Sequence, residues 1–247
     1  MMDKNLILKE FNRIKNLGFI KSNRSNNTGI GKTFEDYLGV DENNYKAPDF
    51  AGFEVKSKRT ETNSYLTLFT KSPTHPPKVN TYLRDKYGEE YTTNQNLKKL
   101  HTSIFSDKYN SYRKKYNFKI ENDKINKKII IKIKDIQTKD IDNSTYWTYN
   151  ELEKCLKLKL NALFFVYADT KIEKGVEYFH YKKAEIYIKP SLNKFIDLID
   201  NGKLMIDIRI GSYKSGKNCG KPHDHGTGFR IKPSDLYSLY EEKIDIE

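Results

Sequence analysis

The chain has 247 residues, with 45 Lys and Arg against 33 Asp and Glu, and carries a formal net charge of +12 at neutral pH. That length suits one large domain or two small ones around a substantial core, and the basic excess favours a polyanionic partner such as nucleic acid or an acidic membrane surface. Cys155 and Cys219, far apart and without a Cys-x-x-Cys pair, support neither a disulfide scaffold nor a zinc finger. No signal-like run opens the sequence and no stretch of about 18 apolar residues occurs in it, so a cytoplasmic protein without a membrane span is expected.

Leu6, Ile7, Phe11, Ile14 and Leu17 recur at helical spacing, and Gly18 stands where a helix would stop. A polar stretch from Lys21 to Thr28 leads into Gly29-Ile30-Gly31-Lys32-Thr33, and Phe34, Tyr37 and Leu38 predict a second helix carrying Glu35 near its start. The Gly-x-Gly-Lys-Thr string lacks the earlier glycine and the preceding apolar strand of a nucleotide-binding P-loop and is not read as one. Strands are predicted at Phe53–Lys56, Tyr65–Thr70, Ile129–Ile133, Ala162–Ala168, Glu177–Tyr187 and Met205–Ile210, and helices at Tyr149–Leu160 and Leu192–Ile199. Three prolines make Ser72–Lys78 a loop. The polar stretch from about Lys86 to Asp123 shows the weakest pattern and reads as an excursion able to wrap a partner. Tyr146 and Trp147, after the turn-prone Asp142-Asn143-Ser144, read as packing residues. The fold class is therefore α/β, a mixed sheet flanked by helices.

Pro48-Asp49, four residues, then Glu54-Val55-Lys56 is the most chemically pointed run in the chain. Side chains alternate along a strand, so Glu54 and Lys56 project from one face about 6.6 Å apart, and Asp49 reaches that face from the preceding turn. Two carboxylates and the Val55 carbonyl offer a hard divalent cation three protein ligands, with Lys56 beside an attacking water or a phosphate.

A second constellation runs from Asp207 through Arg209, Tyr213, Lys214, Lys217 and Lys221 to His223-Asp224-His225 and Arg230. Arg and Lys suit guanine edges and phosphates, Asp224 can accept from a cytosine amino group, and the two histidines can probe another base. His223-Asp224-His225 also has the donor types of a transition-metal site, although the surrounding lysines oppose a cation. His75, His101 and His180 are scattered and receive no role.

Taken in order, Gly29-Ile30-Gly31-Lys32-Thr33-Phe34-Glu35-Asp36, Ala47-Pro48-Asp49-Phe50, Glu54-Val55-Lys56, Leu66-Thr67-Leu68-Phe69-Thr70-Lys71-Ser72-Pro73, Asp142-Asn143-Ser144-Thr145-Tyr146-Trp147 and the His223 loop resemble the MvaI/BcnI family of type II restriction endonucleases. The resemblance runs from about residue 5 to about residue 231. It implies a PD-(D/E)xK, MutH-like fold in which a catalytic lobe, approximately residues 1–200, and a recognition lobe, approximately residues 201–247, clasp DNA. It implies a monomer with one active site that cuts the two strands in successive visits, leaving 5′-phosphate and 3′-hydroxyl ends. In the family pattern the residues matching Asp49 and Glu54 bind Mg2+, the one matching Lys56 assists the nucleophilic water, and the helix glutamate matching Glu35 completes the site. Lys71 and Ser72 would touch the DNA backbone or the central base pair.

The resemblance also implies a CC-N-GG type site. BcnI-like members, which read CCSGG, carry a histidine where this chain has Thr70 and an arginine where it has His225, so both departures point to CCWGG, with CCNGG left open. A companion DNA methyltransferase acting on the same site is implied as a functional partner. Two other readings share these residues: a MutH-like mismatch-repair nicking enzyme and a non-catalytic basic DNA-binding protein.

Overall fold

The computed structural model describes residues 2–40 and 48–246, so Ala47 of the Ala47-Pro48-Asp49-Phe50 run lies outside the described residues. Helix α1 (Lys4–Lys15), strand β1 (Ile20–Lys21), helix α2 (Gly29–Leu38) and strands β2 (Glu54–Arg59) and β3 (Leu66–Thr70) come first. Helix α3 (Val79–Tyr87) precedes β4 (Glu89–Tyr91), β5 (Asn94–Ile104), β6 (Asn110–Tyr112), β7 (Tyr116–Asp123), β8 (Lys128–Asp135) and β9 (Ile141–Thr148). Then come α4 (Tyr149–Lys159), β10 (Ala162–Glu173), β11 (Val176–Pro190), α5 (Leu192–Asp200) and β12 (Leu204–Ser212). Strands β13 (Pro222–Asp224), β14 (Gly228–Ile231) and β15 (Tyr240–Ile246) complete the order. No helix among the described residues is long and apolar enough to cross a membrane.

Two compact units interleave along the chain instead of dividing near residue 200. One comprises Met1–Ser64, Leu156–Ser191 and Tyr237–Glu247; the other comprises Tyr65–Cys155 and Leu192–Leu236. The reason lies in the pairing of β2 with β10, which is parallel, with Leu163 opposite Glu54 and Ala168 opposite Arg59. Parallel strands require a crossover, and here the connection between them carries most of the second unit.

The first unit holds a sheet of order β1-β11-β10-β2, with β15 also paired to β11, so β2 is an edge strand. One side of this sheet is apolar. Phe53, Val55, Phe164, Val166, Ala184 and Ile186 are buried there with Ile7, Phe11 and Ile14 of α1 and Ile30 and Phe34 of α2. Phe164 is the hub, its ring centroid lying 5.6 Å from Phe11, 6.5 Å from Phe34 and 6.4 Å from Phe53. Leu6 and Leu17 are instead 40% and 52% exposed. Asp3 caps α1 by accepting from the Leu6 N–H at 2.9 Å, which leaves Leu6 on the open first turn, and Leu17 lies beyond the last helical residue. Helix α2 starts at Gly29, earlier than expected, so Glu35 falls past its middle.

The second unit contains a sheet of order β3-β14-β12-β5-β4, with β13 also on β12, and a four-stranded antiparallel sheet β6-β7-β8-β9. The stretch from Lys86 to Asp123 is therefore not an excursion: it supplies the end of α3 and four strands. Its apolar residues, Leu100, Ile104, Phe118 and Ile120, are buried, but Lys, Asn, Thr and Ser occupy the positions between them, so the pattern is that of half-polar strands. Tyr146 and Trp147 lie within β9, past the expected turn. Trp147 is fully buried and donates from Nε1 to the Lys71 carbonyl at 3.0 Å.

Gly29 and Gly31 should respond oppositely to alanine. A Cβ at Gly29 would fall 2.3 Å from the Arg24 carbonyl oxygen and 2.6 Å from Ser22 Oγ, whereas at Gly31 the nearest atom is Glu35 Oε1 at 3.8 Å. Gly29→Ala is expected to lower unfolding free energy by about 1–3 kcal/mol through overpacking. Gly31→Ala should raise it by about 0.5–1 kcal/mol through helix propensity, both read by denaturant titration.

Candidate functional site

The Asp49–Lys56 segment is built around the open edge of β2. The Val55 N–H donates to Asp49 Oδ2 at 2.8 Å, so it points away from β10. In an extended strand the N–H and C=O of one residue leave on the same side, which puts the Val55 carbonyl on the edge that Asp49 occupies. The Val55 side chain is anchored in the apolar core. Glu54 and Lys56 consequently project from the opposite face, and Lys56 Nζ donates to Glu54 Oε1 at 2.9 Å.

Glu54 is 8% exposed, and its other oxygen, Oε2, is buried without a hydrogen-bond partner among the described residues. A buried carboxylate oxygen with no donor carries a desolvation penalty of about 1–3 kcal/mol or more. The face around it is enclosed: Leu163 and Phe165 stand opposite Glu54 and Lys56 on β10, and the Tyr187 and Tyr240 rings pack at 5.3 Å. Tyr240 is fully buried, and burial followed by the Glu54 charge holds its hydroxyl well above the ordinary phenol pKa. Lys58, next on this face, has its pKa lowered by burial.

Asp49, Glu54 and the Val55 carbonyl have the hard oxygen donors that suit a divalent cation, and the orphaned Glu54 oxygen is the atom such an ion would satisfy. Glu35 is half-buried on α2, the helix packed against the apolar side of the sheet. Among the described residues no three His, Cys, Asp or Glu side chains stand together as a metal nest. Glu35 therefore does not close a three-acid group with Asp49 and Glu54, and His223-Asp224-His225 does not form a ligand cluster of that kind.

In the second unit, strand alternation sorts the β12 sheet into two faces. Ile206, Ile208, Ile210, Phe229, Ile231, Leu100 and Ile104 form the buried side. Asp207 lies opposite Ser103, Arg209 opposite His101, and Arg230 opposite Met205 and Thr67, so the other side is polar and basic. Asp207 is 0% exposed: Oδ1 accepts from Ser103 Oγ at 2.7 Å and lies 2.7 Å from Arg209 Nη2, while Oδ2 lies 2.8 Å from Arg230 Nη2. The Arg230 contact is an ion pair without hydrogen-bond alignment, as Oδ2 has no aligned donor among the described residues. Asp207 thus holds two guanidinium groups, each about one-third exposed, in place of presenting itself.

The remaining candidates cluster on the β12–β14 connection. The His223 ring stacks on Tyr213 at 4.3 Å and lies 4.1 Å from the exposed His225 ring. Lys214 sits 4.9 Å over the Tyr91 ring, and Lys217 and Lys221 are exposed. Asp224 accepts from Ser72 Oγ at 2.5 Å, from Asn80 Nδ2 at 3.1 Å and from the Gly226 N–H at 2.8 Å. The Lys71 N–H donates to the Thr227 carbonyl at 2.9 Å, so Lys71 and Ser72 lie beside the same turn.

Several residues that support this face were not singled out in the sequence. Buried Arg84 donates from Nη1 to Ser212 Oγ at 3.0 Å and to the Gly220 carbonyl at 2.8 Å, clamping the connection from α3. Asn80, one turn earlier on α3, holds Asp224, and Ser103 and His101 come from β5. The other side of α3 is fixed by Asp142, which accepts from Tyr82, Tyr87, Ser144 and Lys86. The alternation of Leu100, Thr102 and Ile104 was the available signal for His101 and Ser103. Asn80 and Arg84 carry none, because the partners that tie them to this connection, Asp224, Ser212 and the Gly220 carbonyl, are more than 100 residues away.

A family model described as the MvaI/BcnI restriction endonuclease family matches residues 8–240. Among solved structures the chain is similar to restriction endonuclease MvaI in complex with its cognate DNA substrate, at 37% identity over 100% of each chain and a TM-score of 0.89. It is also similar to MvaI in the absence of DNA, at 37% identity over 100% of this chain and 99% of that one, with a TM-score of 0.67. Curated protein sequences give no match. The fold is restriction-endonuclease-like, and the protein is a site-specific DNA nuclease. The chain belongs to the MvaI/BcnI restriction endonuclease family.

Asp142 links this architecture to pH. Burial would raise its pKa, but hydrogen bonds from Ser144, Tyr82 and Tyr87 outweigh burial and hold the carboxyl well below its ordinary value of 3.8. A carboxyl depressed by folding contributes stability that is present above the unfolded pKa and lost as pH falls through the folded one. Asp142→Asn should therefore lower unfolding free energy by about 1–3 kcal/mol at pH 7. It should also flatten the loss of stability below about pH 4 in thermal melts across that range.

Proposed function

We propose that the protein is a type II restriction endonuclease that makes Mg2+-dependent double-strand cuts at a CC-N-GG type site, with CCWGG preferred. The observation that carries this reading is the buried Glu54 carboxylate, tied to Lys56 through one oxygen and without a donor at the other among the described residues, next to Val55, whose N–H holds Asp49 at the strand edge. Asp49, Glu54 and the Val55 carbonyl would hold Mg2+, which supplies charge neutralisation at the scissile phosphate and a polarised water. Lys56 Nζ, anchored by Glu54 Oε1, keeps two further N–H donors for that water or a phosphate oxygen. Glu35 is proposed, on the family resemblance alone, as a supporting acid and not as a metal ligand. Hydrolysis by in-line attack of water leaves a 5′-phosphate and a 3′-hydroxyl.

Base reading falls to Arg209 and Arg230, whose guanidinium forks suit guanine O6 and N7, with Asp207 fixing their orientation. His223, Asp224 and His225 read neighbouring edges, while Lys71, Ser72, Tyr213, Lys214, Lys217 and Lys221 meet the backbone. Thr70 and His225 are the residues that favour an A·T central pair. In this reading the first unit cuts and the second recognises, the enzyme works as a monomer, and a methyltransferase protects the same site.

Digestion of a sequenced plasmid with Mg2+, with Lys56→Ala in parallel, tests the proposal. Discrete fragments ending only at CCWGG are expected, and Lys56→Ala should cut at least about 100-fold more slowly. Ends at CCSGG as well would replace the preferred site with CCNGG. Nicked circles alone, or intact plasmid, would overturn the double-strand cutting activity.

A further inference from the structure

The polar face of the β12 sheet contains a shaped seat for one side chain. Its floor is Gly211: a Cβ there would lie 3.2 Å from His225 Nε2 and 2.8 Å from the Tyr91 hydroxyl, so the imidazole rests over bare backbone. One wall is His101, in register with Arg209 across β5 and β12, whose ring meets His225 edge-on at 6.3 Å. The other wall is His223, 4.1 Å away. The His225 N–H donates to the Arg209 carbonyl at 2.9 Å, which fixes the backbone from which the ring extends. His225 is nonetheless exposed, so the seat holds a side chain that faces outward.

We infer that His101 and Gly211 are positioning residues that set the orientation of His225 and thereby its discrimination of one base pair. The inference rests on the proposed reading of this face as the DNA-recognition surface. Two features of His101 go beyond simple packing. Its Nε2 is buried without a hydrogen-bond partner among the described residues, a desolvation penalty that an apolar side chain in the same place would avoid. Burial first, then the charges of Arg209, Lys99 and His225, also hold its pKa below the ordinary imidazole value, against the raising influence of Asp207. A ring held toward its neutral form supports His225 without adding positive charge beside Arg209. Gly211 contributes by absence, since any side chain there would lift His225 from the sheet or displace Tyr91.

The test is a set of double-mutant cycles on the full chain, pairing H101A and G211A each with H225A. The readout is the ratio of kcat/KM on a CCWGG duplex to that on duplexes with each single base pair changed. H101A and G211A should each reduce discrimination about tenfold at the same base pair that H225A affects. Neither should reduce it further in the H225A background, because both act through that ring. Discrimination unchanged within twofold in both single variants, or losses that multiply with H225A, would overturn the inference. H101N, which retains a polar planar side chain, and G211A keep it testable if thermal melting shows that H101A does not fold. A wild-type protein that prefers no duplex would overturn the DNA-reading role of the face, and the seat with it.

Discussion

The hydrogen bond from the Val55 N–H to Asp49 Oδ2 is the constraint on which the candidate active site depends. It can exist because β2 is the edge of its sheet, where alternate backbone groups meet no strand among the described residues. An exposed edge is normally a liability. Here the turn before the strand folds back on it, and the same contact brings the Asp49 carboxylate to the edge that carries the Val55 carbonyl. The apolar side of the sheet makes this geometry stiff, since Val55 is pinned in the Phe164 cluster while Glu54 and Lys56 must then face the other way.

The same alternation governs the second unit with the opposite emphasis. The β12 sheet is anchored by isoleucines on one face so that arginines can be displayed on the other. A fully enclosed carboxylate, Asp207, is the organising charge of that display. Two guanidinium groups without it would be free to rotate and would repel one another. With it they become a fixed pair, and only the exposed ends remain available to a ligand. Helix α3 braces the loop beside them through Asn80 and Arg84, and Asp142 braces α3 in turn, so the rigidity of the face is borrowed from residues that lie outside its strands.

Much of this was legible in the sequence where chemistry and periodicity coincided. Glu54-Val55-Lys56 declared both a strand and its charged face, and Ala162–Ala168 and Met205–Ile210 declared buried strands that the structure lengthens. The illegible parts share a physical cause. Between Lys86 and Asp123 the strands are polar on their outer faces, so the apolar signal is halved and the segment resembles a loop. The interleaving of the two units follows from a parallel pairing between residues more than 100 positions apart, which no local pattern encodes. His101 carries no local signal of its role because its meaning comes from Arg209 and His225, neither of which is near it in sequence, and Glu35 stands out only through the family resemblance, since its helix placement alone assigns it no metal.

Cation binding at the proposed Asp49–Glu54 site can be measured without cleavage. Mg2+ titrated against thermal unfolding of the wild-type protein, Asp49→Asn and Glu54→Gln reads binding to the native state directly. If the site binds Mg2+, the melting temperature rises with Mg2+ in the wild type and is insensitive to it in both variants, with Glu54→Gln no longer carrying the orphaned carboxylate oxygen. An equal Mg2+ response in all three proteins would contradict it.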